Sequence, residues 1–137
     1  MRTQTAMPRL AALVCIMALG SAVAQPRIPP TYHAAPNEVA QLPKYCYNQY
    51  LDGALGGYQF SIPHESCGYA MNHFCPGLVW MLKAQKMSLP KAERVGSIQH
   101  AIMDIDYTIR EMKPGCFISK DVFYAKERAQ QLSKLVK

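Results

Sequence analysis

Most of the reactive chemistry in this 137-residue chain is concentrated in cysteine and histidine. Between positions 64 and 75 it reads His64-x2-Cys67-x5-His73-x-Cys75, two imidazoles and two thiols within twelve residues. Thiolate sulfur and imidazole nitrogen are the donors that zinc and copper favour. The set His64, Cys67, His73 and Cys75 therefore defines one option, a small metal- or cofactor-binding accessory protein. A copper version would combine His64 and His73 with the thioethers of Met71 and Met81, although methionines on an apolar face more often fill a core. The spacing matches no C-x2-C…C-x2-C zinc pattern, and no C-x-x-C-H haem attachment occurs.

The competing option is covalent, and it depends on the compartment. Arg2 and Arg9 precede the apolar run from Leu10 to Gly20, and Ala22-Val23-Ala24 forms an A-x-A site before Gln25. This is the pattern of a cleaved signal peptide over residues 1–24. The run is too short for a bilayer core, which takes roughly 20 apolar residues. Cys15 lies inside it, and Val14 is a poor match to the small residue that lipoprotein processing prefers, so Cys15 is expected to leave with the peptide. Cys46, Cys67, Cys75 and Cys116 remain, an even set in an exported chain, and two disulfides are the default in an oxidising compartment. Four cysteines allow three connectivities. With no C-x-x-C pair, the bridges read as structural rather than redox-catalytic. Each is worth about 2–4 kcal/mol against a net domain stability of about 5–15 kcal/mol.

Nothing else in the chain assembles a recognisable catalytic set, and no enzyme is expected. There is no G-x-S-x-G elbow and no cysteine-protease signature. Asp104 and Asp106 are two apart on a predicted helix, so their side chains diverge by about 200° and cannot act as a dyad. They are expected to face solvent beside local Lys or Arg partners. His73, next to aromatic Phe74, is expected as a partly buried side chain bonded to a carbonyl. Tyr45, Tyr47, Tyr50, Tyr58 and Phe60 place five aromatics in sixteen residues, more than a short helix and a loop can hide. They either roof a small core or form a contact surface, a use that suits the apolar body and polar tip of tyrosine. With Asn72, His73 and Trp80 they make up the expected interaction surface.

The elements that must position these residues read as helices. Residues 25–36 carry four prolines and no apolar period, and residues 25–41 read as an extended leader. Leu42 to Leu51 is predicted as a short helix with Pro43 in its first turn. The glycines and proline of residues 52–65 mark a loop. From Ser66 to about Lys86, Met71, Phe74, Leu78, Met81 and Leu82 recur at helical spacing, with Pro76 forcing a kink or a restart. Pro90 opens a helix whose stripe is Val95, Ile98, Ile102, Ile105, Ile109 and Met112. Pro114-Gly115 stops it. Ser119 reads as the next N-cap, with Asp121 in the positive first turn. Val122, Ala125, Ala129, Leu132 and Val136 continue as a second stripe whose small alanines admit a close neighbour.

Charge narrows the partners. The chain is +6, and loss of Arg2 and Arg9 would leave +4, dispersed along the helices rather than in a block. No Arg/Gly or aromatic-basic ribbon points to nucleic acid. No apolar stretch after residue 24 is long enough for a transmembrane helix.

Leu42-Pro43-Lys44-Tyr45-Cys46, then Asn72-His73-Phe74-Cys75-Pro76-Gly77-Leu78, then Ala101 to Tyr107, resemble three motifs of small exported proteobacterial proteins. Those motifs read LPxYC, HHYCxGL and AIxEFxYV, and the proteins that carry them look like tetratricopeptide-type helical-repeat proteins. The resemblance covers residues 42–114. The repeat itself is degenerate here: from Ala101 the chain supplies Ile105, Thr108 and Lys113, with Pro114 one place late. About one and a half repeats fit, where three or more normally form an array. The resemblance implies a helical scaffold used for contact, without catalytic residues. It also implies the pairs Cys46–Cys75 and Cys67–Cys116, because its motifs contain Cys46 and Cys75 and neither Cys67 nor Cys116.

The expected fold is all-α: a small antiparallel bundle of degenerate tetratricopeptide-like hairpins, disulfide-stapled, over residues 42–137. The expected function is non-enzymatic contact with a periplasmic or extracellular protein, without a cofactor, alone or as an accessory subunit of a periplasmic complex. Self-association through the 95–112 stripe is a further option.

Overall fold

A computed structural model describes residues 34–50 and 62–136. The elements run α1 (Pro36–Val39), a 3-10 turn (Lys44–Gln49), α2 (His64–Cys67), a second 3-10 turn (Tyr69–His73), α3 (Phe74–Gln85), α4 (Lys91–Glu111) and α5 (Ser119–Val136). No strand occurs among the described residues, so the all-α architecture stands. The segment expected as a signal peptide (residues 1–24) and residues 25–33 of the expected leader lie outside the described residues, as do Tyr58 and Phe60.

The two periodic stripes form the longest helices. In α4, Ile98 and Ile105 are buried together with Ser97, Ala101 and Thr108, while Val95, Ile102, Ile109 and Met112 pack at the core's edge. The buried arc is wider than the predicted stripe because α4 packs against both α3 and α5. It therefore faces its own chain and not a second copy. Thr108 is satisfied locally: its hydroxyl lies 2.9 Å from the Asp104 carbonyl and 3.3 Å from that of Ala70. In α5 the predicted Val122, Ala125, Ala129 and Val136 are all buried. Ser119 lies inside its first turn, since the Val122 N–H already bonds the Ile118 carbonyl at 3.1 Å.

The predicted helix from Ser66 to Lys86 is instead three pieces. Gly68 breaks it with φ of +96°, a backbone that side-chain-bearing residues rarely adopt. A Cβ there would also lie 2.8 Å from the Glu111 carbonyl oxygen. The chain crosses the end of α4 closely at this point, and the Lys113 N–H bonds the Cys67 carbonyl at 3.1 Å. Pro76 is the third residue of α3, where a missing amide hydrogen costs nothing because first-turn amides have no partner in the helix. Proline restarts the helix rather than kinking it.

Helices α3 and α4 are antiparallel: the Arg94 Nε bonds the Ala84 carbonyl at 3.0 Å, while His73 meets Asp104 at the other end. Gly77 permits the approach, since a Cβ there would stand 3.0 Å from Ile105 Cγ1. Lys126 of α5 pairs with Asp106 of α4, so the third helix packs on the second. Two disulfides staple the bundle. Cys46–Cys75 joins the first 3-10 turn to α3, and Cys67–Cys116 joins α2 to the corner before α5. These are the pairs that the resemblance implies.

Residues 34–50 form a strap along α3. Glu38 of α1 meets Lys86 just beyond the C-terminus of α3, Leu42 packs with Val79, Cys46 is bonded to Cys75, and Gln49 donates to the Asn72 carbonyl. Residues 34–41 thus depart from the extended leader: Glu38 and Val39 are buried. The physical reason is Glu38, whose carboxylate accepts the Ala35 N–H at 2.7 Å and the Lys86 ammonium at 2.6 Å. That fastens a helical turn which the prolines around it do not reveal.

Candidate functional site

The strap and α5 stand on either side of α3 and leave a groove of about 500 Å³ between them. Its floor is apolar, formed by Phe74, Leu78, Met81 and Leu82 of α3 and Ala125 of α5. Its rim is polar and aromatic: Gln41 and Tyr45 on the strap, Gln85 on α3, and Asp121, Tyr124 and Arg128 on α5. A volume in the range of about 300–1,000 Å³, with an apolar base and a few polar groups, is the usual make-up of a binding cleft.

Each rim residue is placed by a local rule. On α5, Asp121, Tyr124 and Arg128 are spaced three and four apart, so they share one face beside the buried Val122–Ala125–Ala129 stripe. Tyr45 crosses the end of the groove. Its hydroxyl donates to Asp121 Oδ2 at 2.9 Å, and its ring stacks at 6.4 Å on Phe74. The exposed ring of Phe117 meets Tyr45 edge-on at 6.5 Å, which extends the aromatic surface past the groove's end. Burial, and then the hydrogen bond and charge of Asp121, hold the Tyr45 hydroxyl well above the usual tyrosine range. It therefore remains a fixed donor at any physiological pH. Arg128 lies over the Tyr124 ring, 5.9 Å from its centre. Tyr124 is 62% exposed.

Comparison with protein-family models, with curated proteins and with solved structures gives no match in any of the three. The site is therefore read from its own residues.

A second side-chain constellation lies on the opposite flank of α3, along its seam with α4. His73 Nδ1 and Asp104 Oδ1 are 2.9 Å apart, and the Tyr107 ring packs against the imidazole at 4.7 Å. Further along, Trp80 stacks on His100 at 5.0 Å, with the Lys83 ammonium over the indole at 4.5 Å. The partner of His73 is thus a carboxylate and not the expected carbonyl, and Asp104 pairs with a histidine rather than a local Lys or Arg. Asp106 does find a lysine, but across the bundle on α5. A His–Asp pair orients an imidazole for proton transfer only when a nucleophile or substrate lies within reach. Thr108, the hydroxyl one turn along α4, is fully buried and bonded to backbone.

The expected interaction surface is therefore divided. Tyr45 is at the groove. Tyr47 and Tyr50 pack beside Cys46, Cys75 and Val79 as part of the roof of the smaller core. Asn72 is exposed at the junction of strap and α3, and His73 and Trp80 belong to the seam. The metal set is overturned: Cys67 and Cys75 are in different disulfides, so neither offers a thiolate. His64 packs edge-on against Tyr69 at 5.1 Å while His73 is held by Asp104. Among the described residues no three His, Cys, Asp or Glu side chains converge as metal ligands. Sequence reasoning missed Phe117, Asp121, Tyr124 and Arg128 as site residues. The available signal was the Asp121–Tyr124–Arg128 spacing, which puts an aromatic and two opposite charges on one helix face.

Proposed function

We propose that this protein is a non-enzymatic, exported helical scaffold that works by contact with another protein chain in the periplasm or outside the cell. The observation that carries the proposal is the groove, whose apolar floor is bordered by Tyr45, Tyr124 and Arg128. Tyrosine and arginine around an apolar pocket are the composition of interface hot spots. The rest of the fold supports a static role. Two disulfides and a closed α3–α4–α5 core hold the groove's walls, and the opposed aromatics need no chemistry to act. Export is supported by the signal-peptide pattern of residues 1–24 and by the two disulfides, which persist outside the cytosol. No helix among the described residues is long and apolar enough to cross a membrane.

The test is the native size of the protein taken from its producing cell. Leu82→Arg puts a charge in the groove floor, whereas Met103→Arg changes an exposed position on α4 away from it. The expected result is a complex larger than one chain that Leu82→Arg dissolves and Met103→Arg leaves intact, both variants keeping the helical circular dichroism of the parent. A complex that survives Leu82→Arg overturns the groove as the contact surface.

A further inference from the structure

The groove's charges point to its occupant. Asp121 and Arg128 lie seven residues apart on the exposed side of α5, on either side of Tyr124 and Ala125. If two copies of α5 run antiparallel about a two-fold axis at the Tyr124–Ala125 step, position 121 of each stands opposite position 128 of the other. The same axis sets Tyr124 opposite Ala125, an aromatic knob against a small residue that lines the groove. A two-fold contact requires a surface to be complementary to itself, and this pattern is. We propose that the groove is covered by a second copy of this chain, with the two α5 helices antiparallel and Asp121 of each facing Arg128 of the other.

The proposal rests on the contact role above and names its partner. Asp121 is free to serve both contacts, because a carboxylate has about four acceptor sites and Tyr45 occupies one. Arg128 is exposed and forms a cation–π contact with Tyr124, which uses none of its five guanidinium N–H donors in a hydrogen bond. Each copy supplies the aromatic that fills the other's groove, so the site is incomplete in a single chain. The seam residues His73, Trp80 and His100 stay outside the contact.

The experiment is light scattering during size exclusion, across a dilution series, on disulfide-intact protein. The parent is expected as a dimer that dissociates on dilution. Arg128→Glu sets two carboxylates against each other and Asp121→Lys sets two cations, so each alone is expected as a monomer. An equimolar mixture of the two variants restores opposite charges at both pairs and is expected to recover the dimer, as is the double variant carrying both changes. A parent that is monomeric throughout, or a dimer that survives Arg128→Glu, overturns the proposal. Arg128→Glu leaves the Tyr45–Asp121 bond in place, so that arm decides even if Asp121→Lys disturbs the strap. A monomer whose groove still engages a different protein would remove self-pairing alone; a monomer that engages nothing would remove the contact role as well.

Discussion

The strap forms one wall of the groove, and the Glu38–Lys86 pair that ties it down makes a sharp prediction. Glu38 is 3% exposed, and its two carboxylate oxygens accept from the Ala35 amide and from Lys86 Nζ. Burial pushes its carboxyl upward, but the Lys86 hydrogen bond, the Ala35 amide and the charges of Lys86 and Lys83 outweigh it, so the net direction is down. Glu38→Gln keeps the shape and replaces one acceptor with a donor, which then meets a donor. A hydrogen bond to a charged group is worth about 1.5–3 kcal/mol. Lys86 is partly exposed and regains water when released, so the net loss is discounted to about 1–2 kcal/mol. Cys46–Cys75 pins the strap beyond this point, which confines the opening to residues 34–42. The assay is amide hydrogen exchange. The Leu42 amide, bonded to the Val39 carbonyl, should exchange about 5–30-fold faster in the variant, with α4 amides unchanged. The pH sign follows from the lowered carboxyl. Its stabilisation is complete above the unfolded value of about 4.3 and is lost as pH falls through the lower folded value. Glu38→Gln should abolish that acid loosening of the strap. Unchanged exchange at Leu42, or equal acceleration throughout α4, would refute the latch.

Three further outcomes follow from the same packing. Replacing Cys67 and Cys116 by alanine opens a 49-residue loop and should cost about 4 kcal/mol, while replacing Cys46 and Cys75 opens a 29-residue loop and should cost about 3.5 kcal/mol, both read from urea midpoints. The helical glycines should respond in opposite directions in a thermal melt: Gly96→Ala meets nothing within 4 Å and gains about 0.5–1 kcal/mol, whereas Gly77→Ala presses on buried Ile105 and loses about 1 kcal/mol net. Tyr45→Phe should cost about 1 kcal/mol at neutral pH by removing the bond to Asp121. Because the folded hydroxyl titrates above its ordinary value near 10, the parent loses that stabilisation as pH rises beyond 10, and the phenylalanine variant should show no such loss in alkaline denaturation.

What the sequence disclosed is what local pattern controls. The stripes of α4 and α5 repeat every three to four residues over five or six positions, and helical periodicity alone places them. Pro114 and Gly115 mark the corner between them, and Gly115 does take a positive φ of 80° there. The break at Gly68 escaped because Met71, Phe74, Leu78 and Met81 keep helical spacing across a 3-10 turn and the start of α3. The cause lies in the Glu111 carbonyl, more than forty residues away. The groove escaped for the same kind of reason. Tyr45 and Asp121 are 76 positions apart, and no local pattern says that the strap returns along α3 to bring them together. His73 and Asp104 were each visible as candidates, but their pairing depends on the antiparallel register that Gly77 permits. The cysteine and histidine cluster reads as a ligand set because spacing alone cannot show that its two sulfurs belong to different bridges.

The groove as a contact surface is tested most directly by crosslinking from within it. A photoactivatable residue at position 124 should form adducts in the producing cell, and one at Met103, exposed on α4, should form none. The adduct from position 124 should have the mass of two copies of this chain. Equal crosslinking from both positions, or none from 124, would contradict the account.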